Sequence, residues 1–186
     1  LTIGTFDGVH EGHQKIIAAL KKETERVKGE SVLITFHPHP RKIVANDKPL
    51  QLINTLSEKI ELLRKAGLDH LVVVPFTKAF AEQSAEAYIS DFLIQNFHPA
   101  TIIIGYDHRF GKGRSGDYRL MEQKAEEYGY SLLEIPKHVL DEVGVSSTKI
   151  RDAVLGSDVE TANRLLGYPF FFEGLVIKGD QLGRKL

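Results

Sequence analysis

Hydrophobic and polar positions along the chain follow two alternating periods, one typical of strands and the other of helices. Short apolar runs predict buried strands over residues 1–3, 31–36, 71–74, 101–104 and 131–135. Apolar residues at helical spacing predict helices over residues 14–28, 55–66, 85–97 and 118–128, a short one after 147 and another over 157–166. Because strands and helices alternate, the sequence predicts an α/β fold: a Rossmann-like parallel sheet with helices on both faces.

The C-terminal residues depart from this alternation. Residues 170–179 are an apolar run and a turn, which predict a strand, but no partner strand follows before the sequence stops at residue 186. Since a lone strand is not a complete domain, we place a boundary near residues 167–169. One domain is expected over residues 1–168, and a fragment of a second over 169–186.

Charge and composition narrow the functional classes. The 186 residues carry a net charge of −1 and no cysteine. The charge gives no broad electrostatic footprint for nucleic acid, and no disulfide framework is available, which fits a reducing compartment. No apolar run reaches the length of a membrane span. We expect a soluble, cytoplasmic, globular protein that starts before the first strand, with no nucleic-acid or membrane partner; the oligomeric state cannot be read from the sequence.

Residues 4–13, Gly-Thr-Phe-Asp-Gly-Val-His-Glu-Gly-His, join the first predicted strand to the first predicted helix. His10 and His13 are three positions apart and therefore lie on one side of the first helical turn. The unpaired N–H groups and positive dipole end of a helix start attract anions. Glycine lets the backbone approach a bulky anion, and the segment has Gly4, Gly8 and Gly12. We interpret it as a polyphosphate cradle, unlike a Walker-type loop because no Gly-Lys-Ser/Thr follows.

Two other interpretations of the histidine pair stay open. Histidines near a helix start are often surface residues that bind nothing. A zinc pair is disfavoured because the chain lacks cysteine and has no carboxylate at a metal-binding spacing. We therefore predict no metal held by the protein itself.

Residues 35–40, Thr-Phe-His-Pro-His-Pro, follow the second predicted strand. Pro38 and Pro40 restrict the histidine before each of them to extended geometry, which predicts a stiff strip rather than a helix. With Phe36 beside it, the strip could wall a pocket for a flat aromatic ligand. A rigid loop without a ligand and a histidine metal site are the alternatives.

Two later segments carry further candidate chemistry. Residues 105–117 hold four glycines, three cations and two aromatic rings, a composition typical of a mobile loop over an anionic ligand or of a solvated surface loop. At residues 145–151, Ser146 or Ser147 can cap a helix, and Arg151 lies one turn on from Ser147. Hydroxyls, helix N–H groups and a guanidinium at one helix start suit a triphosphate better than a simple cap does.

These motifs together resemble a known family. His-Glu-Gly-His at 10–13 with Ser-Ser-Thr-Lys-Ile-Arg at 146–151 resembles the signature pair of the nucleotidyltransferase superfamily. The motifs Gly-Thr-Phe-Asp-Gly-Val-His, Thr-Phe-His-Pro-His-Pro and Gly-Tyr-Asp-His-Arg-Phe-Gly, starting at residues 4, 35 and 105, extend the resemblance to the FMN adenylyltransferase module of the bifunctional bacterial FAD synthetases. Residues 174–186 resemble the opening of that family's riboflavin kinase barrel, so a first barrel strand is expected there.

The resemblance implies transfer of AMP from ATP to FMN, giving FAD and pyrophosphate, with Mg²⁺ accompanying ATP. It implies that His10, His13, Ser147, Thr148 and Arg151 are catalytic. It implies ATP binding by Gly4, Thr5, Phe6, Gly8, Gly12, Gly105 and Ser146, and flavin binding by Phe36, Pro38, Pro40, Asp107, Arg109 and Phe110. His108 stands where phenylalanine is commoner. The kinase's Pro-Thr-Ala-Asn segment is absent, so riboflavin kinase activity is expected only of a longer chain.

Two rival functions remain at this point. Another adenylyl- or cytidylyltransferase of the superfamily would share the phosphate motifs and take a different phosphorylated acceptor. A non-catalytic sensor of flavin or nucleotide would keep the pocket without the reaction. The proline-containing strip and the 105–117 segment favour a flavin acceptor, because acceptor specificity lies outside the shared phosphate motifs.

Overall fold

A computed structural model of the protein describes residues 1–44, 50–137, 139 and 144–179. Its five strands form one sheet in the spatial order β3-β2-β1-β4-β5, and every neighbouring pair is parallel. The strands are β1 (Thr2–Ile3), β2 (Val32–His37), β3 (His70–Pro75), β4 (Thr101–Gly105) and β5 (Ser131–Ile135). The predicted parallel sheet is therefore confirmed. Most of the strand ends lie one residue from their predicted positions.

The described helices are α1 (Glu11–Val27), α2 (Pro40–Val44), α3 (Leu56–Lys65), α4 (Lys78–Ala81), α5, α6 (Tyr118–Tyr128), α7 (Ser147–Leu155) and α8 (Val159–Leu166). Helix α5 comprises Ala85–Ala87, a π-helical stretch Tyr88–Ile94 and Gln95–Phe97. All six predicted helices are present. The short helices α2 and α4 were not predicted, because four or five residues are too few for an apolar period to show.

Local signals in the sequence set several helix ends. Thr55 and Glu58 form the predicted capping box of α3: the Thr55 hydroxyl accepts from the Glu58 N–H at 3.2 Å, and the Glu58 carboxylate accepts from the Thr55 N–H at 2.7 Å. Gly129 and Gly167 end α6 and α8 in the left-handed conformation, which glycine adopts without a steric penalty.

Helices cover both faces of the sheet because neighbouring residues of a strand point to opposite sides. On β2, Leu33 packs in one apolar cluster with Ile17 of α1 and Leu63 of α3. The next residue, Ile34, packs in the other cluster, which includes Ile89 of α5 and Met121 of α6. This arrangement confirms the predicted two-sided fold; in folds of this kind ligands bind beyond the carboxyl ends of the strands.

Two predicted segments differ in the structure. The extended strip stops at His39, and α2 begins at Pro40, where the missing N–H of proline costs no helical hydrogen bond. Within residues 105–117, Phe110 and Gly116 exchange backbone hydrogen bonds of 2.9 and 3.2 Å. A Cβ on Gly116 would come within 2.3 Å of the Phe110 ring, so only glycine fits beneath that ring.

The strand predicted over residues 170–179, and with it the first barrel strand, does not form in the part of the tail that the structure describes. Residues 169–179 have no regular secondary structure, and Phe172, Leu175 and Val176 are 82%, 88% and 96% exposed. A strand needs a neighbour to pair its backbone N–H and C=O groups, and no described strand lies beside this segment. The proposed boundary near 167–169 stays a prediction.

Candidate functional site

The two predicted phosphate motifs meet at one place, beyond the carboxyl end of β1. The Ser147 hydroxyl donates to the backbone oxygen of Asp7 at 3.0 Å, although 140 residues separate them in the chain. Nη2 of Arg151 lies 3.3 Å from Oδ2 of Asp7. The beginning of α7 is thereby held against the glycine-rich turn that leads into α1. The charge of Arg151 also reaches His10, whose pKa it helps to lower. A cleft shared by His10 and Arg151 stays a prediction.

The turn between β1 and α1 is tight, and its backbone is held from two sides. Gly8 has a φ of +87°, and a Cβ there would lie 2.8 Å from the Ile53 side chain, so this position requires glycine. The Tyr168 hydroxyl donates to the Gly8 oxygen at 2.5 Å, and the Gln14 amide donates to the Val9 oxygen at 3.1 Å. These contacts fix the position from which His10 enters α1.

The two histidines of the turn stack on each other. Their ring centroids are 3.6 Å apart, with 14° between the planes. His10 is the N-cap of α1: its Nδ1 accepts from the His13 N–H at 3.4 Å. In the neutral His10 ring, the proton is then on Nε2, which is a hydrogen-bond donor. Nδ1 of His13 is buried and has no hydrogen-bond partner among the described residues.

Burial keeps both imidazoles uncharged near neutral pH. Loss of solvent is the main reason why the pKa of His10 falls to about 4, and the positive charge of Arg151 contributes to the same shift. Burial lowers the pKa of His13 as well, and repulsion from Lys59 and from a protonated His10 acts in the same direction. The pair is therefore uncharged near neutral pH and is not a pair of cations.

We expect these buried imidazoles to make stability depend on pH. His10 and His39 each have a pKa of about 4 in the folded protein, chiefly through burial, against an ordinary value of 6.5. Between those two values the unfolded chain binds more protons, so the free energy of unfolding falls as the pH falls. One such imidazole accounts for about 3 kcal/mol of lost stability at pH 4. Denaturant unfolding between pH 7 and pH 4 measures the effect.

The His10→Asn variant is the control for this pH dependence. Asparagine is also a good N-cap, but its side chain does not titrate in this range. Stability of the variant is expected to change less between pH 7 and pH 4 than that of the unsubstituted protein. Equal changes in both proteins would contradict the assignment of a buried neutral His10.

The hydroxyl and guanidinium groups at the start of α7 make different hydrogen bonds. The Ser146 hydroxyl caps the helix by accepting from the Lys149 N–H at 3.3 Å. The hydroxyl of Thr148 accepts from Nη1 of Arg151 at 3.4 Å. Nε of Arg151 is buried and makes no hydrogen bond to any described group. Since a guanidinium has five N–H donors, Arg151 has donors beyond the two contacts with Thr148 and Asp7.

Asp7 is a site residue that the sequence analysis did not identify. Its side chain is 4% exposed; besides the Arg151 contact, Oδ1 accepts from the Ile53 N–H at 2.9 Å. The Asp7 carboxylate thus ties together the glycine-rich turn, α7 and the segment before α3. Its position inside the glycine-rich motif at residues 4–13, between Phe6 and Gly8, could have identified it. An acid in an anion-binding turn needs a partner, and a late arginine is one candidate.

Lys59 was also overlooked. This lysine lies on the buried face of α3, one turn before Leu63. Its Nζ donates to the backbone oxygen of Thr5 at 3.1 Å and to the Thr35 hydroxyl at 3.0 Å. Burial lowers its pKa, and the negative charge of Asp7 opposes that shift. A cation on the apolar face of a predicted helix was the available signal.

A narrow pocket opens beside Asp7. Phe36 at the end of β2 forms part of its wall, whereas the described lining does not include Pro38 or Pro40; flavin binding by these three residues stays a prediction. Two neighbours are buried: His39, and Asn54, whose amide nitrogen and oxygen have no partner among the described residues. The pocket is lined by Asp7, Phe36, His37, His39, Leu52, Asn54, Leu56 and Lys59.

The predicted flavin residues of the 105–117 segment make contacts outside the pocket beside Asp7. Phe110 is buried and stacks on Tyr88 with 4.9 Å between ring centroids, and Arg109 pairs with Asp117 at 2.8 Å. Asp107 is exposed. None of them belongs to the described lining of the pocket beside Asp7, so their contact with a flavin remains a prediction.

The remaining predicted ATP-binding residues surround the turn or end a strand. Phe6 is buried and packs against His13, with 5.0 Å between ring centroids. Thr5 contributes its backbone oxygen to Lys59, and Gly105 is the last residue of β4. Gly12 is buried in α1; Gly4 donates its N–H to the Ile34 oxygen at 3.0 Å. The residues that the structure describes include no group of three histidine, cysteine or acidic side chains able to hold a metal ion.

Known proteins match most or all of this chain. The model of the family described as FAD synthetase matches residues 1–149. The bifunctional riboflavin kinase/FMN adenylyltransferases of Escherichia coli (strain K12) and Bacillus subtilis (strain 168) are each 36% identical to this chain. Each match covers the whole chain and 59% or 58% of the relative. The chain therefore spans less than two thirds of the length of these relatives.

A solved structure described as a macrolide-efflux protein from Streptococcus pneumoniae has the same fold. It matches with a TM-score of 0.80 at 26% identity, over 99% of this chain and 60% of that one. In the described part of this chain, every helix is too short or too polar to traverse a bilayer. The five-stranded parallel sheet with helices on both faces is that of a nucleotidyltransferase-like α/β protein. The chain belongs to the FAD synthetase family.

Proposed function

We propose that this chain transfers AMP from ATP to FMN, producing FAD and pyrophosphate. The observation that carries the proposal is that Ser147 and Arg151, at the start of α7, contact Asp7 in the turn that leads to His10. A cleft with two helix starts, a guanidinium and neutral imidazoles suits a triphosphate. Membership of the FAD synthetase family favours FMN as the acceptor.

The reaction needs no covalent enzyme intermediate. A phosphate oxygen of FMN, already an anion near neutral pH, attacks the α-phosphorus of ATP in line. The new oxygen–phosphorus bond forms as the bond from the α-phosphorus to the bridging oxygen of pyrophosphate breaks, and the electron pair leaves with pyrophosphate. Catalysis then depends on positioning and on stabilisation of the leaving charge.

The residues around Asp7 supply that stabilisation. Arg151 and the Nε2–H of His10 donate to the phosphates, and His13 supports His10 by stacking. The Ser147 and Thr148 hydroxyls and the N–H groups at the start of α7 approach from the other side. The hydroxyl of Ser146 accepts the cap hydrogen bond, which leaves its own O–H to donate to a phosphate oxygen. Mg²⁺ enters with ATP, bound mainly by the phosphates.

The proposal extends to the parts of the site that bind substrate. The turn residues Gly4, Thr5, Phe6, Gly8 and Gly12, with Gly105, line the path of ATP. The flavin is bound by Phe36, Pro38, Pro40, Asp107, Arg109 and Phe110. Residues 1–168 carry this activity, in the cytoplasm, with ATP and FMN as the small-molecule substrates. In the complete protein, residues 169–186 lead into a riboflavin kinase domain that phosphorylates riboflavin to FMN.

Incubation of the chain with ATP, Mg²⁺ and FMN tests the proposal, with FAD and pyrophosphate measured separately. We expect both products in equal amounts, and no FMN from riboflavin and ATP. Parallel reactions contain CTP as the donor, or a phosphopantetheine or phospho-alcohol acceptor. Pyrophosphate release only with one of these would show another transferase of the superfamily. FMN binding without any pyrophosphate release would show a sensor.

A further inference from the structure

Asn54 is a buried polar residue that the proposed chemistry does not use. Its side chain is 6% exposed, and its amide nitrogen and oxygen both lack hydrogen-bond partners among the described residues. Buried polar groups are nearly always paired, since an unpaired one loses its interaction with water and gains nothing in return. The unpaired amide therefore points to a partner that binds in the pocket.

The position of Asn54 is fixed on both sides. The preceding residue, Ile53, donates its N–H to the Asp7 carboxylate at 2.9 Å. The following residue, Thr55, donates its N–H to Glu58 and caps α3. Burial raises the pKa of the Tyr168 phenol, and the nearby Asn54 amide opposes that shift; the phenol donates its own hydrogen to the oxygen of Gly8. The amide is thus held in place by its neighbours without being satisfied by them.

The surroundings of Asn54 indicate which part of a substrate reaches it. The pocket runs between Phe36, which offers a ring wall, and Asp7, beside which Arg151 is held. A carboxamide offers both donors and an acceptor. A phosphate oxygen only accepts, whereas a hydroxyl both donates and accepts.

We propose that Asn54 is a further substrate-binding residue that hydrogen-bonds the hydroxyl-bearing chain of FMN between its ring and its phosphate. The inference rests on the proposed function, because it takes FMN as the acceptor. The location fits this role: the ring end of the substrate would lie toward Phe36 and the phosphate toward Arg151. The ribose hydroxyls of ATP have the same chemistry, and the experiment separates the two sources.

The test replaces Asn54 by leucine, which is similar in size and apolar. For Asn54→Leu we expect the Kd for FMN, measured by quenching of flavin fluorescence, to rise about 10- to 100-fold. The KM for ATP is expected to stay within about twofold. Denaturant unfolding should show stability equal to or above that of the unsubstituted chain, because the variant removes an unpaired buried amide. Asn96→Leu, at an exposed position of α5, is the matched control and should leave both substrates unaffected.

A second ligand tests whether Asn54 binds the hydroxyl groups of the FMN side chain. A flavin phosphate with a plain five-carbon alkyl chain lacks the groups that Asn54 would bind. The unsubstituted chain and Asn54→Leu are expected to bind this analogue equally well. An unchanged Kd for FMN, a rise confined to the KM of ATP, or an equal loss of affinity for both flavins would overturn the inference. If the unsubstituted chain forms no FAD, the proposed function itself fails, whatever the variant does.

Discussion

Replacing His10 by alanine is expected to lower the turnover of FMN adenylylation by about 100- to 1000-fold. The reason is the loss of a hydrogen-bond donor at the phosphates, worth about 3–4 kcal/mol in the transition state. The Kd for FMN should change little, because His10 lies at the start of α1 and is not part of the described pocket wall that includes Phe36. Steady-state kinetics and flavin fluorescence titration measure the two quantities.

The alanine variant also loses the N-cap of α1, so a second substitution is needed to separate chemistry from folding. Asparagine restores a capping side chain, and His10→Asn should recover most of the about 1 kcal/mol of stability that a lost cap costs. Its turnover should remain as low as that of His10→Ala. Turnover that recovers along with stability would assign His10 a structural role and remove it from the catalytic set.

Replacing Asp7 by alanine is expected to lower the free energy of unfolding by about 3–5 kcal/mol. The carboxylate is buried, accepts from the Ile53 N–H and lies against Arg151. Without it, a nearly buried guanidinium and a buried N–H lose their partner, and the ammonium of Lys59 loses the nearby charge that supports it. Urea or guanidinium chloride unfolding, followed by circular dichroism, measures the change.

Two variants calibrate the Asp7 measurement. Asp152→Ala removes an exposed acid one residue after Arg151 and should shift stability by less than about 0.5 kcal/mol. Asp7→Asn keeps an oxygen that can accept from Ile53 but removes the charge, and should fall between the two. If Asp7→Ala unfolds at the same denaturant concentration as Asp152→Ala, the Asp7 carboxylate does not hold the site together.

Local patterns were sufficient for most of the fold. The five strands are short apolar runs, and the capping box at Thr55 and the glycine stops at Gly129 and Gly167 mark helix ends directly. Each of these signals involves residues within one or two helical turns of each other, so it can be recognised from the sequence alone. The helix α2 was missed because the prolines that stiffen the strip also allow a helix to begin at Pro40.

The site was predicted only as far as its motifs are local. His10 and His13 share a helical turn, and Ser147 and Arg151 share another, so each pair could be placed on one face. The family resemblance then implied that the two turns bind one triphosphate. Asp7 and Lys59 were missed because their partners, Arg151 and Thr35, are brought to them by the packing of α7 and α3 against the strand ends.

The sequence by itself determined the alternation of strands and helices, the two anion-binding turns and the resemblance to a family, because each of these depends on residues close together in the chain. Only the tertiary structure decided that the Asp7 carboxylate joins α7 to the glycine-rich turn, that Lys59 is buried beside it, and that the amide of Asn54 faces a pocket without a partner. Those outcomes depend on contacts between residues that lie tens of positions or more apart, and the burial of a charge or an amide is set by everything that packs around it.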